Sequence, residues 1–462
     1  MKPGQAIAIC AGTSIEYAAV FMGALRAGVA VAPLAPSSTA ASIATMVADA
    51  GATLLFVDET VAKALQPVRD RIAAQWIALD DLTAGKSFRE WLVAQGTVPA
   101  TVTAEPDAPF NLIYSSGTTG TPKGIVQSNL MRWRQWQRAH AYDYKPDSIT
   151  IVSTPLYSNT TLVSFLPTLA VGGSVVLMAE FDATGFLELA QKHRATTAML
   201  VPVQYSRVMA LQDFEGYDLS SFRAKFCTSA PFAAILKADI LKRWPGRLIE
   251  YYGMTEGGGT CVLEASQYPH KVHTVGTPAP GHDIRLIDDQ GLELPPGSTG
   301  EIVGHSEGIM TGYYNQPAKT AEAEWHDPTG KRFIRTGDVG RFDEDGFLIL
   351  MDRKKDMIIS GGFNVYPSDL EAVLRGHADV SEAAVIGVPS ERWGETPVAF
   401  VVAKRNDPQL PKTLLDWTND KLGKTQRLAA VELVVSLPRN AIGKILKREL
   451  REIYSQKARA LP

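Results

Sequence analysis

The chain has 462 residues, of which 45% are hydrophobic, 21% charged and 8% aromatic. This composition is that of a folded globular protein and excludes a disordered, collagen-like or coiled-coil chain. The 46 Lys and Arg residues nearly balance the 49 Asp and Glu residues, giving a net charge of −3, so no overall field directs the protein to nucleic acid or to an anionic membrane. Its three widely spaced cysteines form neither a disulfide framework nor a metal-binding pattern, and we therefore expect a cytoplasmic protein.

No segment is expected to cross a membrane. Residues 148–179 carry no charge, but they contain two prolines, paired glycines and several Ser and Thr residues. Such a stretch does not fit a 20-residue apolar helix, and it is more typical of buried strands and helices of a soluble protein.

The first three quarters of the chain alternate predicted strands and helices. We predict strands over residues 6–10, 29–33, 53–57, 174–178 and 198–201, and helices over residues 16–27, 40–50 and 186–193. This alternation is typical of βαβ units and indicates the α/β fold class, with largely parallel sheets.

The pattern changes after residue 281. Short predicted strands over residues 282–287, 300–303, 332–336 and 347–352 indicate a small antiparallel β unit. A new α+β module follows, in which Ser368-Asp369-Leu370-Glu371 is a predicted capping box at the start of a helix, and residues 383–388 and 398–402 are predicted strands. We place the domain boundary at the charged turn that starts with residue 352, which gives domains 1–352 and 353–462.

The most distinctive local pattern is the loop of residues 114–124, Tyr-Ser-Ser-Gly-Thr-Thr-Gly-Thr-Pro-Lys-Gly. Its glycines leave backbone N–H groups accessible, its hydroxyls add donors, and Lys123 adds a positive charge, which together suit a polyphosphate. Composition alone leaves a polar surface loop as the alternative.

This loop resembles the phosphate loop of the adenylate-forming superfamily, which contains acyl-CoA synthetases, adenylation domains of peptide synthetases and firefly luciferase. Four more motifs of that superfamily follow in order: an aromatic-Gly-x-Thr-Glu motif at 251–256, Thr-Gly-Asp at 336–338, a hinge and glycine turn at 352–362, and a lysine loop at 438–444. The resemblance implies an N-terminal adenylation domain, 1–352, of mixed parallel sheets with helices and a small antiparallel unit. It also implies a small mobile α+β C-terminal domain, 353–462.

The resemblance assigns ATP or AMP binding to residues of these motifs and of a small-residue segment beside adenine. The residues are Ser115, Ser116, Gly117, Thr118, Thr119, Gly120, Lys123, Ser229, Ala230, Pro231, Tyr252, Gly253, Met254, Thr255, Asp338, Arg353 and Lys444. Glu256 would hold Mg²⁺, which prefers carboxylate and phosphate oxygens.

Three of the motif residues are expected to be catalytic. Thr255 and Glu256 would contact the α-phosphate and the metal, and Lys444 would offset the repulsion between the acid carboxylate and that phosphate. Without the neighbouring loop, Lys444 would read as one more cation on a basic helix face. Lys355 occupies the hinge position, and Gly361 and Gly362 would line the path of the pantetheine arm of coenzyme A.

The acyl pocket is assigned by analogy to Tyr157, Ser158, Asn159, Val203, Gly257 and Gly258. Ser158 stands where many acyl-CoA synthetases have histidine, and Gly257 and Gly258 are expected to leave room beside the pocket. Residues 148–179 lack the aspartate with which amino-acid-activating relatives pair an α-amino group. We therefore expect an apolar fatty or aromatic acid.

The favoured function is an ATP-dependent acid:CoA ligase that uses ATP, Mg²⁺ and coenzyme A. An adenylation enzyme that passes its acyl group to a carrier protein or another acceptor is the first alternative, and a nucleotide-binding pseudoenzyme is the second. The expected partners are small molecules, without nucleic acid or a membrane segment, and a homodimer is one option for the assembly. Superfamily members usually have a further segment ahead of the position that corresponds to residue 1. We therefore expect either that the start of this chain is truncated or that the chain is a compact variant.

Residues 131–138 interleave arginines with tryptophans, as a nucleic-acid-binding surface would. At helical spacing, however, we predict that the tryptophans pack on the core and the arginines face solvent.

Overall fold

The computed structural model describes residues 1–80, 85–115, 122–137, 139–360, 363–423, 426–440 and 443–460. The chain separates into two compact units, Met1–Ile284 with Val303–Arg335, and Arg285–Ile302 with Thr336–Pro462. The second unit thus includes part of the antiparallel region that we assigned to domain 1–352. That residue 352 is the point of domain motion stays a prediction.

The helices of the first unit alternate with its strands, as the sequence pattern predicts. They are α1 Ile15–Arg26, α2 Ala40–Asp49, α3 Glu59–Leu65, α4 Phe88–Trp91, α5 Asn129–Gln137, α6 Asn159–Ala170, α7 Ala183–His193, α8 Pro202–Met209, α9 Ala234–Arg243 and α10 Pro317–Glu322. The helices of the second unit are α11 Pro367–Arg375, α12 Leu410–Asn419 and α13 Lys447–Ala460. No helix among the described residues is long and apolar enough to cross a membrane.

The first sheet has the strand order β17-β7-β6-β2-β1-β3-β4-β5 within the described residues. Its strands are β1 Ala6–Cys10, β2 Ala30–Pro33, β3 Ala52–Val57, β4 Gln75–Ala78, β5 Lys86–Ser87, β6 Pro109–Ser115, β7 Lys123–Ser128 and β17 Gly312–Tyr313. The pairs from β6 through β5 are parallel, whereas β6–β7 and β7–β17 are antiparallel.

The second sheet has the order β14-β13-β12-β11-β10-β8-β9 over the described chain. Its strands are β8 Ile149–Val152, β9 Ser174–Leu177, β10 Thr197–Leu200, β11 Ala224–Cys227, β12 Arg247–Met254, β13 Gly257–Glu264 and β14 Thr277–Pro278. It is parallel from β9 to β12 and antiparallel at β12–β13 and β13–β14. The α/β class is confirmed.

The antiparallel region that follows comprises β15 Asp283–Ile287, β16 Thr299–His305, β18 Glu324–His326, β19 Arg332–Phe342 and β20 Leu348–Arg353. The C-terminal sheet has the order β22-β21-β24-β23, with β25 paired to β24. Its strands are β21 Ile358–Ser360, β22 Phe363–Val365, β23 Val380–Ser390, β24 Gly394–Ala403 and β25 Ala430–Leu433.

Helices cover both faces of the first sheet because strands such as β1 are apolar at every residue. In β1, Ala8 and Cys10 join a core cluster with residues of α2 and α3, whereas Ile7 and Ile9 join a cluster with residues of α1 and α6. Side chains of a strand alternate between the two faces, so an all-apolar strand must be covered on both.

The predicted capping box at residues 368–371 is wrong. Helix α11 begins one residue earlier, at Pro367, whose fixed φ suits the first helical position. The hydroxyl of Ser368 donates to the carbonyl of Met351, and Glu371 accepts from the backbone N–H of Val385 at 2.9 Å. Both side chains are therefore committed to contacts outside the helix terminus.

The prediction for residues 131–138 is also wrong in part. Trp133 is 54% exposed, whereas Arg132 is completely buried. Trp136 is half-buried, and its ring lies edge-to-face with that of Phe110, with 5.8 Å between the ring centroids. The phase of α5 turns Arg132 toward polar side chains of β6 and β7, which a one-dimensional pattern of basic and apolar residues does not reveal.

Candidate active site

Thr255 and Glu256 form the tip of the β12–β13 hairpin. Met254 at the end of β12 pairs with Gly257 at the start of β13, so only these two residues connect the strands. Gly257 follows with a φ of +89°, a conformation that glycine adopts without steric cost. The hairpin therefore presents the threonine and the glutamate next to each other at the end of the sheet.

A tyrosine joins Glu256 to Lys123. The Tyr313 hydroxyl donates to Oε1 of Glu256 at 2.9 Å, and Lys123 Nζ lies 4.8 Å from the centre of the Tyr313 ring. Burial, and then the neighbouring carboxylate, raise the pKa of Tyr313 far above its usual value, so the hydroxyl stays a donor. The sequence motifs do not single out Tyr313, because its adjacency to them arises from the β7–β17 pairing.

The phosphate loop is the connection between β6 and β7. Ser115, the last residue of β6, pairs with Lys123, the first residue of β7. The base of this hairpin is fixed by Tyr114, whose hydroxyl donates to Oδ2 of Asp49 at 2.6 Å. The predicted ligands Ser116, Gly117, Thr118, Thr119 and Gly120 lie outside the described residues.

The segment 229–231 lies next to the aromatic motif of β12. The Thr228 hydroxyl donates to the carbonyl of Tyr251 at 2.8 Å, and Ser229, with a φ of +82°, places its Oγ 2.5 Å from Oγ1 of Thr160. A left-handed backbone at a non-glycine residue is uncommon and is held here by its surroundings. Tyr252, Gly253 and Met254 lead from this segment to the hairpin tip, whereas Ala230 and Pro231 follow Ser229 toward α9.

Three of the predicted acyl-pocket residues lie where α6 begins. Ser158 is the N-cap residue but makes no capping bond with its side chain, and Tyr157 before it is half-buried. Asn159 Oδ1 accepts from Nη2 of Arg132 at 2.9 Å. Val203 is a half-buried residue in the first turn of α8.

The glycines after Glu256 have a packing role that we did not predict. A Cβ at Gly257 would lie 2.1 Å from the carbonyl oxygen of Gly308, and one at Gly258 would lie 3.1 Å from that of Gly304. These positions lack side chains because another backbone approaches them closely. That they line the acyl pocket stays a prediction.

The second unit holds the other predicted nucleotide ligands. Asp338 of β19 pairs with Arg353 of β20, and Nε of Arg353 lies 3.2 Å from Oδ1 of Asp338. The backbone N–H of Asp338 donates to Oγ1 of Thr336 at 3.0 Å, which ties the Thr-Gly-Asp turn together. The side-chain oxygens of Asp338 could accept hydrogen bonds from the vicinal hydroxyls of a ribose.

Lys444 ends a loop that closes on itself. The backbone N–H of Lys444 donates to Oδ1 of Asn440 at 2.9 Å, and the N–H of Asn440 donates to the carbonyl of Lys444 at 3.0 Å. Arg439 donates to the Gly443 carbonyl at 2.7 Å and to Glu382 of β23 at 2.8 Å, which anchors the loop to the sheet. The described residues of the loop next to Lys444 are therefore bonded to one another and to β23.

Burial and nearby cations change the proton affinity of Lys444. Burial, followed by the positive charge of Arg353, lowers the pKa of its ammonium from 10.5 to about 8, against the opposing effect of Asp338. An anion placed beside Lys444 would raise this pKa again. The geometry is therefore that of a group that gains its full charge when a phosphate binds.

The hinge motif is a short turn between β20 and β21. Lys355 is exposed within this turn, and its neighbour Lys354 pairs with Asp289 at 2.9 Å and with Glu301 at 3.1 Å. The predicted pantetheine-path residues Gly361 and Gly362 lie outside the described residues.

The described residues contain no group of three or more His, Cys, Asp and Glu side chains that would hold an ion by themselves. A single carboxylate such as Glu256 fits Mg²⁺, because this ion takes one or two carboxylates and completes its shell with phosphates and water.

Two protein families match this chain, one over its N-terminal part and one over its C-terminal part. The AMP-binding enzyme family matches residues 1–314, and the AMP-binding enzyme C-terminal domain matches residues 369–444. A feruloyl-CoA synthase of an Amycolatopsis species is 33% identical over 98% of this chain and 90% of its own. A fatty acid–[acyl-carrier-protein] ligase of Streptomyces coeruleorubidus is 31% identical over 98% and 88%. The solved structure of an amide bond synthetase of Marinactinospora thermotolerans superposes with a TM-score of 0.87, at 30% identity over 98% and 90%.

The fold and these matches define an ATP-dependent, AMP-forming acid ligase. The chain belongs to the AMP-binding enzyme family, and within it to the acyl-CoA synthetase branch. The predicted superfamily is thereby confirmed.

Proposed function

We propose that the protein joins a carboxylic acid to coenzyme A in two half-reactions. In the first, the acid carboxylate attacks the α-phosphorus of ATP, releasing pyrophosphate and leaving an acyl-adenylate. In the second, the thiol of coenzyme A attacks the acyl carbon, AMP leaves, and the thiol proton is released. The observation that carries the proposal is the position of Lys444. A hydrogen bond to Asn440 closes its loop, and the charges of Asp338 and Arg353 act on its ammonium group.

We assign the first half-reaction to residues of the superfamily motifs. Lys123 and Thr255 would bind the phosphates, Asp338 the ribose, and Lys444 would stabilise the charge that develops on the α-phosphate. Glu256, oriented by Tyr313, would be the carboxylate ligand of Mg²⁺, and the ion would supply positive charge that offsets the charge of the phosphates.

We assign the second half-reaction to coenzyme A on the basis of the superfamily motif around Gly361 and Gly362. The feruloyl-CoA synthase supports this assignment, whereas the carrier-protein ligase supports a carrier-bound pantetheine thiol as the second candidate acceptor. The uncharged segment before and within α6 supports an apolar or aromatic acid, because no carboxylate there would pair with an amino group.

A substrate panel tests the proposal. The purified enzyme is given Mg-ATP and one acid at a time from fatty, cinnamic and benzoic series, without an acid as the control, and pyrophosphate, AMP and ADP are measured. We expect acid-dependent pyrophosphate and AMP. Formation of ADP and phosphate would contradict adenylation.

The acceptor is tested with the best acid from that panel. Coenzyme A and a phosphopantetheinylated carrier protein are offered separately, and thioesters are quantified by mass spectrometry. We expect a faster reaction with coenzyme A, and a carrier preferred at equal concentration would establish the alternative acceptor. Cytoplasmic location and a homodimeric assembly remain predictions from sequence.

A further inference from the structure

A buried arginine adjoins the candidate site of the first unit. Arg132 in α5 is completely shielded from solvent, and this burial lowers its pKa to about 9. Within the described chain no carboxylate pairs with it, and its hydrogen-bond partners are the side-chain oxygens of Asn111, Gln127, Gln135 and Asn159. Burying a cation without an anion is costly, so these amides must be held facing it.

The arginine fixes which way each amide points. A guanidinium only donates hydrogen bonds, so each amide must turn its oxygen toward Arg132 and its NH₂ group elsewhere. Gln127 shows the consequence: its Oε1 accepts from Arg132 and, at 2.9 Å, from Asn111, and its Nε2 donates to the backbone carbonyl of Thr255 at 2.7 Å. By fixing the orientation of the Gln127 amide, Arg132 thereby ensures that the backbone carbonyl of Thr255 accepts a hydrogen bond from Gln127.

The carbonyl of Thr255 belongs to the peptide group that joins Thr255 to Glu256. A peptide group is planar, so the hydrogen bond from Gln127 to this oxygen restrains the orientation of the peptide plane between Thr255 and Glu256. These are two of the proposed catalytic residues. A second contact holds the same tip, because the N–H of Met310 donates to the carbonyl of Glu256 at 2.8 Å.

The same arginine reaches the start of α6. Asn159 is the first residue of that helix and accepts from Arg132, while the next residue, Thr160, is hydrogen-bonded to Ser229. The start of α6 is thus held between the buried arginine and the segment proposed to lie beside adenine.

We propose that Arg132 is a positioning residue for adenylation, acting through Gln127 on the Thr255–Glu256 turn and through Asn159 on the start of α6. It is too deeply buried to touch a substrate, so it acts only through these neighbours. The inference rests on the proposed roles of Thr255 and Glu256 in the first half-reaction.

The substitution Gln127→Glu tests the polarity of this network. A glutamate at 127 still accepts from Asn111 and gains an ion pair with Arg132, but it has no NH₂ group to offer to Thr255. We expect a melting temperature no lower than that of the unsubstituted protein, together with a fall of about 10²-fold in kcat for acid-dependent ATP–pyrophosphate exchange, the loss typical of small misplacements of reacting groups. A variant that is folded and retains more than half of the exchange rate overturns the inference.

Two buried basic side chains give a matched comparison. Lys225 donates to the carbonyls of Trp244, Pro245 and Gly246, and none of these three bonds reaches the hairpin tip. Arg132→Met removes a buried positive charge, and Lys225→Met removes a buried amine whose pKa burial lowers to about 7, so both are expected to lower the melting temperature. Below both melting temperatures, only Arg132→Met should lower kcat; equal kcat losses in the two variants would show a general stability effect and refute the positioning role. If Arg132→Met does not fold, Gln127→Glu decides.

A third variant separates this inference from the proposed site. Glu256→Gln should lower the exchange rate and raise the Mg²⁺ concentration needed for half-maximal rate. If it is impaired while Gln127→Glu is not, the role of Arg132 alone is refuted. If it behaves like the unsubstituted protein, the proposed site fails, and the inference fails with it.

Discussion

Replacing Lys444 with alanine should separate the two half-reactions. The loop that carries Lys444 is closed by backbone and side-chain bonds of Asn440 and anchored by Arg439, so the substitution removes an ammonium without removing the support of the loop. We expect adenylate formation to slow by about 10²–10³-fold, as for loss of one donor that stabilises transition-state charge. Thioester formation from synthetic acyl-adenylate should be largely retained.

The lowered pKa of Lys444 adds a test by pH. With a pKa of about 8 the ammonium is charged below that value and loses its proton as the pH rises through it. The charged fraction of the free enzyme then falls about tenfold between pH 7 and pH 9, and kcat/KM for adenylation should fall with it. Bound phosphates raise the pKa, so kcat should decline at a higher pH than kcat/KM.

The assay is acid-dependent ATP–pyrophosphate exchange across pH 6 to 10, with thioester formation measured separately. Lys444→Arg keeps its charge throughout this range and should lose the alkaline decline even if its rate is low. Lys457→Ala, which removes a surface cation paired with Glu432, is the control and should match the unsubstituted enzyme. A normal exchange rate in Lys444→Ala, or an alkaline decline that persists in Lys444→Arg, would refute the reasoning.

Three further outcomes are expected. Asp338→Asn should weaken ATP binding by about 1–3 kcal/mol in calorimetry, because the charged acceptor for the ribose is lost; unchanged affinity would remove Asp338 from the site. Tyr313→Phe removes the donor to Glu256 and should weaken the apparent binding of Mg²⁺ in the exchange assay by about 0.5–1.5 kcal/mol. An unchanged Mg²⁺ titration would contradict a role for that contact. Lys237→Met leaves the carboxylate of Glu250 buried without its partner and should lower the free energy of unfolding by about 3–5 kcal/mol at pH 8. Part of this loss should return on acidification to pH 5, because burial already raises the pKa of Glu250 to about 6 and protonation relieves its charge; denaturant titrations that show no such recovery would contradict this account.

The fold was predictable where local pattern and burial agree. Apolar runs such as Ala6–Cys10 must be covered on both faces, and the helical spacing after Ser14 matches α1 closely. The capping box failed because Pro367 competes for the start of α11 and the side chain of Ser368 has a partner far away in sequence. Local rules therefore predict which helices and strands form. They are less successful at predicting which hydrogen bonds are made at the ends of a helix.

The candidate site was predictable only where its residues are contiguous. Thr255 and Glu256 were found together because they occupy one two-residue turn, whereas Tyr313 joins them through a strand pair that brings β17 to β7. The burial of Arg132 was missed for the same reason: its pattern on α5 suggests a solvent-facing cation, whereas two of the amides that accept its hydrogen bonds, Asn111 and Gln127, come together only through the β6–β7 pairing. Non-local pairing carries the information that the sequence patterns lack.

The glycines after Glu256 show that a residue's role in substrate preference is also hard to infer from sequence without its non-local contacts. From sequence, Gly257 and Gly258 suggest space for a bulky acid, but their Cβ positions point at the carbonyls of Gly308 and Gly304. A leucine there would first displace backbone, so a changed acid preference in such a variant would report a distorted hairpin as readily as a smaller pocket. Tyr157 is half-buried at the start of α6 and its side chain can be exchanged without a backbone clash, so it is the better position at which to test acid preference.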